Sequence, residues 1–142
     1  MLAHTPAPPP AAIGDALGAR ASRLGRFASR LVYYETVSST NDVAGSLASD
    51  GAPHGTVVTA DAQHRGRGRM GRSWFSPHGA GLYVSVILRP EVAGYVKAAP
   101  GRNGLDVSLA SAVTLTTGVA LAEAIQAATG LPAAIKWPNA LV

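Results

Sequence analysis

Cysteine is absent from this chain of 142 residues, and lysine occurs only twice. The lack of cysteine excludes disulfides, thiolate zinc sites and cysteine nucleophiles, and it is compatible with the cytosol, so we expect a cytoplasmic protein. Neither lysine follows a glycine, which excludes a phosphate-binding loop of the Walker type. No apolar run approaches the roughly 18 residues that span a bilayer, and we therefore expect no membrane partner.

The composition is that of a globular domain with one local concentration of positive charge. Hydrophobic residues make up 47% of the chain, too many for a disordered tail. The net charge of +4 comes from ten arginines and two lysines against eight acidic residues, and four of the arginines lie between Arg65 and Arg72. So compact a patch suits a small anionic ligand better than nucleic acid, whose binding usually spreads positive charge along a face.

Residues 66–72 read Gly-Arg-Gly-Arg-Met-Gly-Arg and are called the glycine–arginine loop below. Glycines allow positive φ and bring backbone N–H groups close to a ligand, while guanidinium groups bind phosphate or carboxylate through planar pairs of donors. The pattern predicts an anion-binding loop, and a flexible turn charged for solubility is the alternative. The G-x-G-x-x-G spacing is not a dinucleotide fingerprint, because Pro77, Gly79 and Gly81 follow where a helix would have to begin.

The order of helices and strands predicts a mixed-sheet α+β or α/β domain. Residues 1–12, rich in proline and alanine, are predicted to be a disordered tail without helix or sheet, and 13–30 a surface helix interrupted by Gly25. Strands are predicted at 31–37, 55–60, 81–89 and 133–137, with helices from about residue 40 to 49 and 105 to 129.

Three finer expectations follow from local patterns. The strand at 81–89 alternates Leu82, Val84, Val86 and Leu88 with Tyr83, Ser85 and Ile87, which predicts that one face lies in the core. The small residues of the helix at 105–129 predict close packing under a sheet. Residues 91–104 are expected to be a connection without chemistry, 138–139 a turn, and 141–142 the opening of a further strand.

Four motifs, in this order and spacing, resemble the catalytic domain of biotin protein ligases. They are Ser39-Thr40-Asn41, Gln63 leading into the glycine–arginine loop, Trp74-Phe75-Ser76-Pro77 with Gly81-Leu82-Tyr83, and Lys136-Trp137-Pro138-Asn139. Lipoate ligases share the fold, but the arginine loop and the Lys-Trp-Pro-Asn turn together point to biotin. The resemblance implies an α+β fold with a mixed sheet flanked by helices, as in class II aminoacyl-tRNA synthetases, and a partial, C-terminally truncated catalytic domain over residues 13–142.

The activity implied by this resemblance is that of a biotin–[acetyl-CoA-carboxylase] ligase. Such an enzyme uses biotin, ATP and Mg²⁺ to make biotinyl-5′-adenylate and transfers the biotinyl group to a lysine of the biotin carboxyl carrier domain of an acyl-CoA carboxylase. Joining a carboxylate to a phosphate brings anions together, so the site needs fixed cations and N–H donors. The resemblance allows a homodimer, and without an N-terminal helix-turn-helix we expect no DNA partner.

The resemblance also assigns roles by position. Ser39, Thr40 and Gln63 resemble groups that hydrogen-bond the ureido ring of biotin, and Gly66 and Arg67 would meet its carboxylate side. Catalytic roles fall to Arg69, which retains the adenylate, and to Lys136, placed against the reacting carboxylate and phosphate. The nucleotide-binding set is Arg69, Arg72, Trp74 and Asn139, and no metal ligand is identified. Taken singly, Trp74 is also explained as a core residue and Lys136 as a surface lysine.

Two departures from the family pattern keep other functions open. Ala140 replaces the aspartate that normally follows Lys-Trp-Pro-Asn, and the family's later strands and C-terminal β-barrel do not follow Val142. One alternative is therefore an inactive remnant that binds biotin without chemistry. Another is a single-stranded nucleic-acid-binding module that combines the arginine cluster with Trp74 and Phe75 as stacking platforms.

Overall fold

The computed structural model describes residues 5–90, 107–136 and 140–142. The chain divides into two compact units, Met1–Lys97 and Ala98–Val142, which are described separately. The assignment of residues 13–142 to one partial ligase-like domain stays a prediction, and the connection expected at 91–104 lies outside the described residues.

Short helices begin the first unit. Helix α1 spans Ala11–Ala19 and α2 spans Ala21–Leu24, and a 3₁₀ turn follows at Gly25–Phe27. The predicted interruption at Gly25 is confirmed, since its φ of 54° takes the chain out of the helical conformation. The prediction that residues 1–12 contain no helix or sheet is wrong, because α1 begins at Ala11 and the Ala7 N–H donates to the Tyr33 carbonyl oxygen at 2.9 Å in an isolated β-bridge.

A four-stranded mixed sheet forms the centre of the first unit; its mixed character is as predicted, whereas its strand at Ser73–Ser76 was not predicted and the strand predicted near 133–137 pairs in a separate sheet. Strand β1 (Leu31–Val37) runs parallel to β2 (Thr56–Arg67), while β3 (Ser73–Ser76) and β4 (Tyr83–Ile87) pair antiparallel with successive parts of β2. Strand β2 is longer than the 55–60 expected, because Gly66 and Arg67 continue the ladder opposite β3. The first two residues of the glycine–arginine loop are therefore strand, held by backbone pairing to a distant segment.

Helix α3 (Thr40–Ser49) makes the crossover that parallel strands require and covers one face of the sheet. The Ser39 side chain accepts a hydrogen bond from the Asn41 N–H and so caps the helix. Gly51, with a φ of 89°, follows the helix end. The buried apolar core lies between helix and sheet and comprises Tyr34, Val37, Ala44, Val58, Ala60 and Ile87.

Strand β4 packs against this core with the face that carries fewer apolar side chains. Ile87 is only 6% exposed, whereas Val84, Val86 and Leu88 are each more than 40% exposed among the described residues. Alternation identified the strand, but the face that packs on α3 is the one carrying Ser85 and Ile87. Beyond the strand, the Arg89 guanidinium donates to the carbonyl oxygens of Ala48 and Ala52 at 2.6 and 2.9 Å and so fastens the end of α3 to β4.

The second unit contains a long helix and a small hairpin. Helix α4 spans Val107–Thr129 and ends at Gly130, whose φ of 73° suits a glycine. Strands β5 (Ile135–Lys136) and β6 (Ala140–Leu141) pair antiparallel, which confirms the strands expected before and after the turn. The turn at 138–139 is not among the described residues.

The segment Leu109–Thr129 of α4 has 21 residues and a mean hydropathy of 1.3, and by length and composition it could cross a membrane. The expectation that no apolar run approaches this length is therefore wrong by this measure. Core helices of soluble proteins meet the same criteria, so the finding assigns no membrane role.

The N-cap of α3 gives a direct test of why this helix starts where it does. Replacing Ser39 with Ala removes the only side-chain acceptor for the Asn41 N–H described at this helix end, and we expect a loss of about 1 kcal/mol in unfolding free energy. Urea unfolding followed by circular dichroism measures this. Ser46→Ala, an exposed position inside the same helix, is the control and should leave stability unchanged or slightly raised. Equal effects of the two substitutions would contradict a capping role.

Candidate functional site

The side chain of Gln63 connects the start of α3 to β3. Its Oε1 accepts hydrogen bonds from the Thr40 N–H at 2.7 Å and the Thr40 hydroxyl at 3.2 Å, and its Nε2 donates to Ser76 Oγ at 3.0 Å. The parallel register pairs Val37 with Gln63, which places the N-terminus of α3 above the glutamine. Two predicted biotin-binding residues, Thr40 and Gln63, are thus in direct contact.

Two serines without a predicted role complete this hydrogen-bond network. Ser85, on the α3-facing side of β4, donates to Thr40 Oγ1 at 3.0 Å, and Ser76 donates to the Trp74 carbonyl oxygen at 3.3 Å. We call the five residues Thr40, Gln63, Trp74, Ser76 and Ser85 the Gln63 network. A polar residue on the helix-covered face of an alternating strand is the sequence signal that could have identified Ser85.

Gly66 lies where β2 and β3 approach most closely. A Cβ atom at this position would lie 2.5 Å from the Trp74 carbonyl oxygen and 2.7 Å from Ser76 Oγ. No side chain fits there without moving β3. The role predicted for Gly66, a contact at the carboxylate side of biotin, stays a prediction, and the structure shows that this glycine allows two strands to approach closely beside Gln63.

Beyond Arg67 the chain makes a tight turn back into β3. The Gly68 N–H donates to the Arg72 carbonyl oxygen at 2.7 Å, and Arg69–Gly71 form the tip of the turn between them. Met70 and Gly71 have left-handed backbone, with φ of 58° and 74°. Glycine adopts this conformation without strain, whereas for methionine it is uncommon, so the tip of the loop is held under mild backbone strain.

The loop arginines differ in their surroundings. Arg67 Nε lies 3.0 Å from Asp42 Oδ1 in the first turn of α3. Arg72 is exposed, and of Arg69 only the backbone is described. The structure thus brings Ser39, Thr40, Gln63, Gly66 and Arg67 into one region, together with Asp42, to which no role was assigned from the sequence.

Trp74 lies on β3 with 64% of its surface exposed, and the neighbouring Phe75 is 88% exposed. The interpretation of Trp74 as a plain core residue is therefore wrong for the described structure. An exposed indole held on a short strand beside an arginine-rich turn is suited to stacking on a flat ring.

The two remaining predicted residues come from the C-terminal part of the sequence. Lys136 is exposed on β5 in the second unit, and Asn139 is outside the described residues. Their assigned roles in catalysis and nucleotide binding stay predictions.

The Asp61 carboxylate braces the sheet on the side of the loop at 77–82. Its Oδ2 accepts a hydrogen bond from the buried Tyr33 hydroxyl at 2.5 Å and lies 3.4 Å from His78 Nε2. The hydrogen bond to Asp61, followed by burial and the negative charges of Asp61 and Glu35, raises the pKa of Tyr33 from 10.0 to about 12. Three segments, β1, β2 and the loop after β3, are therefore joined at one carboxylate.

The model of the biotin/lipoate A/B protein ligase family matches residues 33–142. The chain belongs to this family. The fold expected from the sequence, a mixed sheet flanked by helices of the class II synthetase type, is confirmed by structural neighbours that are biotin protein ligases.

Individual relatives agree with this membership. The chain is 40% identical over 109 residues to the bifunctional ligase/repressor BirA of Bacillus spizizenii, covering 77% of this chain and 30% of the relative. Biotin protein ligase from Aquifex aeolicus in complex with biotin and ATP matches with a TM-score of 0.59 and 31% identity, over 79% of this chain and 40% of that one. The ligase from Leishmania major in complex with biotin gives a TM-score of 0.55 at 28% identity, over 78% and 45%. The chain therefore spans less than half the length of each of these proteins.

In the part of the chain that the structure describes, the protein's own side chains form no metal centre. No group of three or more histidine, aspartate or glutamate side chains is placed to hold an ion there.

The close approach at Gly66 leads to a stability prediction for this member of the family. Gly66→Ala should lower the unfolding free energy by about 1–3 kcal/mol, because the new methyl group forces β3 away from β2. Chemical denaturation measures the change. Gly45→Ala in α3, where a Cβ meets nothing within 4 Å, is the matched control and should stabilise the chain by about 0.5–1 kcal/mol. A Gly66→Ala protein as stable as the parent would contradict the close contact between the two strands.

Tyr33 provides a prediction in alkaline solution. Because its pKa is raised to about 12 in the folded state, the folded chain keeps a proton that the unfolded chain loses above pH 10. The contribution of Tyr33 to the unfolding free energy is fully present below pH 10 and is lost as the pH rises toward 12. Absorbance titration of phenolate should show a late-titrating tyrosine that Tyr33→Phe removes and Asp61→Asn shifts to lower pH. An Asp61→Asn titration identical to the parent's would contradict the assigned cause.

Proposed function

We propose that this chain forms the biotin- and ATP-binding part of a biotin protein ligase, which makes biotinyl-5′-adenylate and transfers the biotinyl group to a lysine of a biotin carboxyl carrier domain. The observation that carries the proposal is the Gln63 network, which joins the N-terminus of α3 to the strand leading into the glycine–arginine loop. Membership in the ligase family and the structural neighbours solved with biotin and ATP support it.

The ureido ring of biotin matches the groups at the start of α3. It presents a carbonyl acceptor between N–H donors, and Ser39, Thr40 and Gln63 offer hydroxyl and amide groups that donate and accept. In the ligand-free chain these groups are satisfied by one another, with Thr40 on Gln63 and Ser39 on the helix cap. Hydrogen bonds to biotin would replace these internal ones. The hydrogen bonds with Ser76 and Ser85 would keep Gln63 and Thr40 oriented.

The chemistry of the first step needs positive charge beyond this pocket. A carboxylate oxygen of biotin attacks the α-phosphorus of Mg-ATP, the bond to the bridging oxygen breaks and pyrophosphate leaves. Arg67 and the backbone N–H groups of the loop would meet the carboxylate, while Arg69, Arg72 and Lys136 would stabilise the phosphate charge. Magnesium bound to the triphosphate shares its charge when present.

The second step releases AMP. The carrier lysine, as a neutral amine, attacks the acyl carbon of the adenylate, the acyl–phosphate oxygen bond breaks and the amine loses a proton. Until then the adenylate must be kept from water, and a loop with glycines and an exposed tip is suited to closing over it. Trp74 would stack on the adenine and Asn139 would contact the nucleotide.

Calorimetric titration tests the proposal. We expect the purified chain to bind biotin, and to bind it more tightly when Mg-ATP is added, because adenylate formation recruits the loop arginines. Gln63→Ala should weaken biotin binding at least tenfold, since hydrogen bonds on both sides of the amide are lost. Arg69→Ala should reduce only the gain from Mg-ATP. Arg23→Ala, a substitution in α2 well before the loop in sequence, is the control for lost positive charge.

Three results would contradict the proposal. A chain that is folded by circular dichroism but releases no heat with biotin does not contain a working biotin site. Binding of single-stranded oligonucleotide at physiological salt, unaffected by biotinyl-adenylate analogues, would instead favour the nucleic-acid function that the exposed Trp74 and Phe75 also allow. Biotin binding without pyrophosphate release on adding Mg-ATP would identify a binding remnant without ligase chemistry.

A further inference from the structure

The ion pair between Arg67 and Asp42 is a feature that the proposed chemistry does not use. Arg67 belongs to the glycine–arginine loop, and Asp42 lies in the first turn of α3, two residues after Thr40. Their Nε and Oδ1 atoms are 3.0 Å apart, with 65% of the arginine side chain and 37% of the aspartate side chain exposed. Among the described side chains, no other carboxylate lies within ion-pair distance of Arg67 or Arg72.

The partner of Arg67 is a carboxylate, the same chemical group that biotin would present to it. A guanidinium binds an aspartate carboxylate and a ligand carboxylate through the same N–H donors. Two carboxylates beside one guanidinium repel each other, so an incoming carboxylate is opposed while Asp42 keeps its place. Because the pair is exposed, it is weak enough to be exchanged.

We propose that Asp42 is a built-in competitor for Arg67. In the ligand-free chain it holds the arginine against α3, and it gives the arginine up when a ligand carboxylate arrives. Asp42 is thus a positioning residue, and it lowers the affinity of the site for carboxylate ligands while leaving neutral analogues unaffected. The inference rests on the proposed function for the identity of the ligand, which is biotin.

The test compares biotin with biotinamide, in which a neutral carboxamide replaces the carboxylate. Asp42→Asn keeps the size of the side chain and removes the competing charge. We expect the dissociation constant for biotin to fall about two- to fivefold, as for the loss of an exposed ion pair, and that for biotinamide to stay unchanged. Asp50→Asn, an exposed position at the other end of α3, changes the net charge equally and should alter neither constant.

A double-mutant cycle separates competition from a structural effect on the helix. In an Arg67→Ala background Asp42 has no guanidinium to pair with, so Asp42→Asn should no longer strengthen biotin binding. The proposal is overturned if Asp42→Asn weakens biotin binding, changes biotin and biotinamide equally, or acts as strongly without Arg67.

A ligand-free measurement tests the ion pair independently of biotin. Trypsin cleaves after arginine, and Asp42→Asn should speed cleavage within residues 65–72, whereas Asp50→Asn should cleave at the parent rate. Unchanged cleavage in Asp42→Asn overturns the proposed restraint. If the parent chain binds no biotin at all, the proposed function fails, and this experiment still decides whether Asp42 restrains the loop.

Discussion

The side-chain amide of Gln63 is the contact on which the candidate site depends. Its carbonyl oxygen accepts from Thr40 and its amino group donates to Ser76, so one planar group fixes the start of α3 relative to β3. Strand β1 ends just before α3, and the parallel register brings Val37 alongside Gln63. The site therefore forms where the parallel pairing of β1 with β2 ends, on the carboxyl side of β1, an edge at which open sheets commonly bind ligands.

This contact also explains why polar side chains are tolerated beside the core. Ser39, Thr40 and Ser76 are each no more than 5% exposed, and their hydroxyl groups have partners in the network or at the helix cap. A buried hydroxyl without a partner would cost about 1–3 kcal/mol, whereas a satisfied network fixes one arrangement of helix and strands. Bound substrate would have to replace these hydrogen bonds one for one, which favours ligands that both donate and accept.

Local signals in the sequence were sufficient for β1 and α3, because the run of aromatic and β-branched residues and the capping serine act within a few positions. They were insufficient for the extension of β2, the bridge at Ala7 and the face of β4 that packs on α3, since each depends on a partner far along the chain. The same division holds in the site. Motif resemblance placed Thr40, Gln63 and Arg67 together, but Asp42 and Ser85 have roles that only their neighbours in space define.

The hydrogen bond from Ser85 to Thr40 joins residues 45 positions apart. Contacts of this separation cost more chain entropy than local ones, because the whole intervening chain loses freedom when they form. The Gln63 network therefore cannot exist in a partly folded chain that has α3 but lacks β4. A ligand that binds the network would consequently stabilise the assembled sheet relative to any state of the chain that lacks β4.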